Sequence, residues 1–290
     1  MKNSVHLNTK ILGLIGHPLK HSYSPFIHNI AIDLKEIDYI YLPFDIPASN
    51  LKNAVRGMIA LGIRGFNVTI PHKENIIQFM SNVSEEASII GAVNTVVNEL
   101  GKLSGYNTDV NGILETLNPF KEEIFGNEIS VIGAGGASRA VIYTLIRYFK
   151  PSKIFLVNRT EQRADSLKNY FQDKMKYNSF KTKELFPPDL VEVFRSSKLI
   201  VNATSVGMYP DVDDSITMLA DSFTKGQIVF DLVYNPIQTN LLKLASSNGA
   251  IALDGLKMLV YQAAKSFELW TSETMPVEQV YKSLQLFLKV

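Results

Sequence analysis

One stretch narrows the possible folds more than any other: Ile129-Ser130-Val131-Ile132, followed at once by Gly133-Ala134-Gly135-Gly136-Ala137-Ser138-Arg139-Ala140. A β-rich run enters a glycine turn, and a helical pattern, Val141 to Ile146, follows without a break. In that context glycines let the backbone approach a pyrophosphate, and the free amides of the helix N-terminus receive it. The match to G-x-G-x-x-G is incomplete, with Ser138 in the third position and an extra glycine at 136. Alone, the turn reads equally as an ordinary tight turn.

Short apolar runs alternate with amphipathic helical stretches along nearly the whole chain, which points to α/β units with a mainly parallel sheet. In the first third, strands are expected near Ile11–Gly16, Tyr39–Phe44 and Gly65–Ile70, and helices near Pro25–Asp33, Ala48–Leu61 and Pro71–Met80. Asn94–Tyr106 has turn residues at its centre and reads as a hairpin. A second βα series starts near Glu128, with strands at Ile129–Gly133, Lys153–Asn158, Lys198–Ala203, Gln227–Val233 and Ala250–Asp254. Its helices are Ala137–Phe149, Glu161–Gln172 and Gln238–Asn248. The restart puts a boundary near Val110, although no flexible linker marks it. The tail from Leu256 is helical and too apolar to hang free, so it must pack on something.

Bulk properties exclude several classes of function. The net charge of +1 over 290 residues provides no field for nucleic acid or an anionic membrane. With no cysteine there are no disulfides, thiolate metal sites or cysteine nucleophiles, which fits a cytoplasmic location. No metal site is expected. The N-terminus lacks a signal peptide's apolar run and cleavage site. No segment approaches the roughly 20 apolar residues of a membrane span. A soluble chain acting on a small molecule, as monomer or homodimer, is expected.

The strand Lys153–Asn158 ends where an NAD-binding fold would place an acid for the ribose 2′-hydroxyl. Here Asn158, Arg159 and Thr160 follow instead, with Arg163 three residues on. Paired guanidinium groups suit a 2′-phosphate, which favours NADP over NAD. Thr160 also reads as a helix cap and the arginines as solvated.

The N-terminal half carries its own polar set. Pro25 biases Ser24 to an extended backbone, so that Ser22 and Ser24 could offer two hydroxyls to a carboxylate. Taken alone, Ser24 reads first as a helix cap. In Gly65-Phe66-Asn67-Val68-Thr69-Ile70, alternation sets Asn67 and Thr69 on one face, toward a ligand crevice at the strand's C-terminal end. Lys73 would fall in the first turn of the next helix, where a cation opposes the dipole at about 0.3–1 kcal/mol; an ordinary surface lysine is the other reading. His72 reads as structural. Asn94 and Asp109 bracket the hairpin, and Asp109 also reads as a cap. Tyr234 follows the strand that ends near Val233, and Gln262 is a polar residue in an otherwise apolar helix.

Together, and in this order from Gly16 to Gln262, these segments resemble the shikimate dehydrogenase family. The resemblance implies two α/β domains. Residues 1–109 plus 255–290 would form a substrate domain completed by the C-terminal helices, and residues 110–254 a Rossmann-type NADP(H)-binding domain. It implies substrate contacts at Ser22, Ser24, Asn67, Thr69, Asn94, Tyr234 and Gln262, with Lys73 and Asp109 as the catalytic pair. For NADP(H) it implies Gly133, Ala134, Gly135, Gly136, Ala137, Asn158, Arg159, Thr160, Arg163, Leu232 and Gly255, with Glu85 as a weaker match. The implied reaction is reversible NADPH-dependent reduction of 3-dehydroshikimate to shikimate, in aromatic amino-acid (chorismate) biosynthesis. Lys257 stands where the family often has a small residue, and residues near 171–189 look additional. A quinate/shikimate dehydrogenase with broader substrate and cofactor use is one rival. A non-catalytic NADP-binding regulator on the same fold is the other.

Overall fold

The structure is a computed structural model that describes residues 5–19 and 22–289. Lys20 and His21, within the polar segment between Gly16 and Pro25, lie outside the described residues. The first apolar run becomes β1 (Lys10–Gly16), whose last five residues are buried. After it come α1 (Ser24–Lys35), β2 (Tyr39–Asp45), α2 (Leu51–Ala60) and β3 (Gly65–Val68). Leu51, Val55 and Met58 give α2 its buried face, at the three-to-four-residue spacing a helix needs. Both β2 and β3 pair parallel with β1, Leu12 matching Tyr41 on one side and Gly65 on the other.

The chain then forms β4 (Asn82–Val83), α3 (Glu85–Ile90), β5 (Thr95–Glu99) and β6 (Lys102–Tyr106). The last two strands are an antiparallel hairpin. At its turn Leu100 and Gly101 have φ of 53° and 88°, the positive values whose twist matches the flanking strands. The sheet order is β2-β1-β3-β5-β6-β4, with β5 antiparallel to β3. Next comes α4 (Asp109–Leu117).

The second series holds α5 (Lys121–Ile124), β7 (Glu128–Ile132), α6 (Gly136–Thr144), β8 (Lys153–Asn158), α7 (Glu161–Met175) and β9 (Phe180–Glu184). It continues with α8 (Pro187–Ser196), β10 (Leu199–Asn202), β11 (Ile228–Asp231), α9 (Asn240–Ser247) and β12 (Ile251–Leu253). All six strands are parallel, in the order β12-β11-β10-β7-β8-β9. Counted from β7 this is the doubly wound order 3-2-1-4-5-6, which reverses between β7 and β10 and binds ligands beyond the strands' C-terminal ends.

Finally α10 (Leu256–Thr271) and α11 (Val277–Leu288) close the chain. Two compact units result: Met1–Gly112 with Leu259–Val290, and Ile113–Met258. Trp270 fixes α10 within the first unit: it is 1% exposed and its Nε1 donates to the Val96 carbonyl at 2.9 Å. Among the described residues no helix is long and apolar enough to cross a membrane.

One expectation needs correction. No helix runs from Pro71 to Met80: β3 stops at Val68, a turn follows, and only Asn75–Phe79 is helical, as a 3-10 helix. The Lys73 carbonyl accepts from Val93 N at 2.8 Å instead of from the amide four residues on, which rules out an α-helix through Lys73. The residues near 171–189 form regular structure of the second unit. They contain the end of α7 and the outer strand β9, and α8 starts among them.

Candidate active site

In the first unit the turn after β3 is pinned on both sides. Thr69 N donates to Ile15 O at 2.9 Å, His72 N to Thr69 O at 2.9 Å, and Val93 N to Lys73 O at 2.8 Å. His72 is fully buried with Nε2 2.6 Å from the Ile46 carbonyl, so its role is to anchor this turn. Lys73 therefore leaves a fixed backbone. Its Nζ donates to Asp109 Oδ2 at 2.5 Å, with side-chain exposures of only 16% and 7%. The other carboxylate oxygen accepts from Asn94 Nδ2 at 2.8 Å. A charge-assisted bond in a largely dry setting is short and strong. Because Lys73 is not in a helix, the dipole penalty expected for it does not arise.

Behind this pair lies a network of hydroxyls. Thr95, Thr108 and Ser266 are all buried, and their oxygens form a triangle with sides of 2.8, 3.0 and 3.1 Å. Asn94 Oδ1 accepts from Thr108 N at 2.7 Å and from the Thr95 hydroxyl at 3.0 Å. Gln262 Oε1 is 3.5 Å from the Thr108 hydroxyl. Asn67, expected to face a ligand, is instead turned inward and only 4% exposed. Its Oδ1 accepts from the Tyr41 hydroxyl at 2.8 Å, and its Nδ2 donates toward Asn94 O, Thr95 Oγ1 and Ser266 Oγ. Burial pushes the Tyr41 phenol well above its ordinary pKa, so it stays a donor and fixes which way the Asn67 amide points. Thr69, two residues on, is half-buried.

Tyr41, Thr95, Thr108 and Ser266 were not singled out from the sequence. Ser266 left a faint signal, a hydroxyl four residues after Gln262 and so on the same helical face. Deleting this node in Ser266→Ala is expected to lower stability by about 1–3 kcal/mol, since buried polar partners lose a bond. Urea unfolding at unchanged m-value reads that loss; a shift under roughly 0.5 kcal/mol would show the triangle uncoupled from the fold.

Ser22 and Ser24 stand with their hydroxyl oxygens 3.3 Å apart, and Ser22 Oγ also accepts from Ser24 N at 3.3 Å. Ser24 is the first residue of α1 and Tyr23 its N-cap, so the serine does not serve as the cap. Glu85 is exposed in the first turn of α3 beside Glu86, where acids are favoured by the helix dipole.

In the second unit Gly133 has φ of 110°, and a Cβ there would come within 2.9 Å of Ser138 Oγ and 3.1 Å of Ala203 O. Gly135, the N-cap of α6, offers no side chain to its amides and has nothing within 4 Å of a built Cβ. A helix start without a side-chain cap, with open space at the Cβ position of its N-cap glycine, suits an anionic pyrophosphate. Past β8, Asn158 Nδ2 donates to Thr160 O at 2.8 Å, while Arg159 and Arg163 are exposed. Thr160 is the N-cap of α7 without a capping side-chain bond. Leu232 and Tyr234 follow β11 and are half-buried; Gly255 precedes α10 and is buried, and Lys257 is exposed in the first turn.

Residues 14–96 match the model of the shikimate dehydrogenase substrate binding domain, 117–257 that of shikimate / quinate 5-dehydrogenase, and 255–285 that of the shikimate 5′-dehydrogenase C-terminal domain. The chain belongs to the shikimate dehydrogenase family. A shikimate dehydrogenase (NADP(+)) from Caldanaerobacter subterraneus is 45% identical over 279 residues, spanning 96% of this chain and 97% of that protein. A crystal structure of a shikimate dehydrogenase in complex with NADP+ superposes with a TM-score of 0.88 at 38% identity, over 97% of this chain and 96% of its own. A Listeria monocytogenes shikimate 5-dehydrogenase, in complex with shikimate and NAD, gives 0.86 at 34%, over 98% and 99%. In this family member Ser22, Ser24, Lys73 and Asn94 lie in the first matched stretch and Gln262 in the last. Asp109 falls between matched stretches, so the weight for it comes from its 2.5 Å bond to Lys73.

Proposed function

We propose that this chain is an NADP-dependent shikimate dehydrogenase, an oxidoreductase acting on a CH–OH group and interconverting 3-dehydroshikimate and shikimate. The observation that carries the catalytic part is the Lys73–Asp109 pair, 36 positions apart in sequence and 2.5 Å apart in space. The first unit is the substrate-binding part and the second the NADP-binding part. Ser22 and Ser24 take the substrate carboxylate, and Thr69, Asn94, Tyr234 and Gln262 its hydroxyls. Asn67 acts from behind, holding Asn94 and Thr95 in place. The amides of Gly133 to Ala137 would hold the pyrophosphate, Asn158 to Arg163 the phosphorylated ribose, and Leu232 and Gly255 would complete the cofactor site.

Bound NADPH supplies the hydride. As the substrate carbonyl carbon gains it, the oxygen gains charge and needs a proton. Lys73, as an ammonium, donates that proton or stabilises the forming alkoxide. Asp109 holds the ammonium in place and leaves a carboxylate beside it when the proton has gone. In the other direction the neutral amine of Lys73 takes the proton from the hydroxyl, and Asp109 stabilises the ammonium that forms. Asn94, bonded to Asp109 Oδ1, keeps the carboxylate from turning away from Lys73.

The test is the absorbance change of nicotinamide reduction with shikimate and NADP, run beside quinate and NAD. Turnover with shikimate and NADP at least about tenfold more efficient than any other pairing is expected, a difference of about 1.4 kcal/mol in transition-state binding. Comparable turnover of quinate would instead make the chain a quinate/shikimate dehydrogenase. NADP binding without turnover of either would make it a binding protein on the same fold.

A further inference from the structure

A carboxylate that the mechanism does not use lies fully buried at the end of β11. Asp231 is 0% exposed and is held by neutral donors. Its Oδ1 accepts from Asn202 Nδ2 at 2.9 Å and from Val233 N at 3.0 Å; its Oδ2 accepts from the Thr239 hydroxyl at 2.7 Å. Desolvation raises its pKa to about 6, against the pull of these hydrogen bonds, and the charge of Asp254 adds to the rise. An aspartate is costly to bury, so what its acceptors organise is the informative question.

Each donor belongs to a different piece of the second unit. Asn202 ends β10, and its Oδ1 accepts from Thr204 N at 3.0 Å and from the Thr204 hydroxyl at 2.7 Å. Thr204 in turn lies beside the Gly133 turn, 3.0 Å from where a Cβ on Gly133 would stand. Thr239 is the N-cap of α9, its hydroxyl accepting from Leu242 N. Val233 lies within the segment that carries Leu232 and Tyr234. That segment is also fixed elsewhere along its backbone, by Leu232 N donating to Asn202 O at 3.0 Å and Gly255 N to Val233 O at 3.2 Å. A Cβ on Gly255 would come within 2.3 Å of the Leu232 carbonyl oxygen, so the two backbones pass as close as only glycine permits.

We propose that Asp231 is a positioning residue whose carboxylate fixes the Leu232–Tyr234 segment against β10 and α9, and so sets where Leu232 meets the cofactor and Tyr234 the substrate. A carboxylate suits this task because it accepts from a main-chain amide, an amide side chain and a hydroxyl at once and asks for no hydrogen in return. The inference rests on the functional reading above.

The experiment compares Asp231→Ala, Asp231→Asn and Thr239→Val for KM toward shikimate and NADP, and for NADP affinity by fluorescence titration without turnover. Asp231→Ala is expected to raise both KM values and the NADP Kd roughly tenfold, as misplaced contact groups do. A merely structural role would lower the folded fraction, and with it apparent kcat, leaving KM and Kd where they were. Asp231→Asn keeps an acceptor for Val233 N and is expected to restore these constants to within about threefold of wild type. Should Asp231→Ala fail to fold, Thr239→Val, which strips the donor from Oδ2, is expected to move the same constants the same way by roughly threefold. Unmoved constants in the folded variants, or an Asn variant no better than Ala, overturn the inference. If wild type binds NADP but leaves shikimate unreacted, the functional reading fails, and the NADP titration still decides whether Asp231 positions Leu232.

Discussion

Lys73→Ala is expected to lower kcat for shikimate by roughly 10²–10⁴-fold, the usual contribution of a positioned proton donor, while KM for shikimate stays within about threefold. That split follows from the geometry. The Lys73 ammonium is engaged with Asp109 at 2.5 Å and its backbone is held through Val93 and the His72 anchor, so a proton donor at this place would serve one oxygen and add little to holding the remainder of the ring. Asp109→Asn should act in the same direction by roughly 10²-fold or more, since an amide leaves the ammonium unbalanced. Stability needs a separate check. Removing Lys73 leaves a carboxylate 7% exposed with the Asn94 amide beside it, and stripping one partner from a buried pair costs up to about 3–5 kcal/mol. Turnover is therefore compared well below each variant's melting temperature. Full activity in Lys73→Ala would remove the residue from the mechanism.

The second large effect concerns the cofactor. Arg159→Ala together with Arg163→Ala is expected to raise KM for NADP by roughly 10–100-fold and leave KM for NAD nearly unchanged, because charge-assisted bonds to a phosphate are worth about 1.5–3 kcal/mol each in protected settings and less when exposed. Both side chains are exposed, so the advantage of NADP over NAD in the wild type should also shrink as salt rises. A doubly substituted enzyme that still prefers NADP as strongly would place the 2′-phosphate elsewhere. A relative in complex with NAD shares this fold at a TM-score of 0.86, so the fold alone does not dictate the cofactor, and the double substitution tests whether the side chains past β8 do.

How far the chain was readable depended on whether the governing interactions were local. The strands β1, β7, β8, β10 and β11 carry compact apolar runs and were visible from periodicity. The outer strand β9 was not, because Phe180-Lys181-Thr182-Lys183-Glu184 is a largely solvated edge whose charges discourage further pairing. The helix expected through Lys73 failed for the opposite reason: an amide 20 positions away, on Val93, takes the carbonyl that an α-helix would need. Asn67 alternated correctly with Phe66 and Val68, yet periodicity says nothing of what covers a face. Here Tyr41, Asn94, Thr95 and Ser266, drawn from distant segments, enclose it. The meeting of Lys73 with Asp109 is of the same kind, a product of tertiary folding that composition and spacing leave open.

One unit is assembled from two separated stretches of the chain, and the other is continuous in sequence. During synthesis residues 113–258 emerge as an uninterrupted stretch and can fold as soon as they clear the ribosome. The nascent N-terminal third must wait, because Gln262, Ser266 and Trp270 belong to its polar network and core and are made only after the second unit. Until then the Thr95 and Thr108 hydroxyls have no Ser266 to complete their triangle, and the Val96 carbonyl has no indole. Completion of the first unit is thus coupled to the synthesis of α10, and a chain cut short before α10 is expected to hold the second unit's fold intact while the hydroxyl triangle of the first stays open.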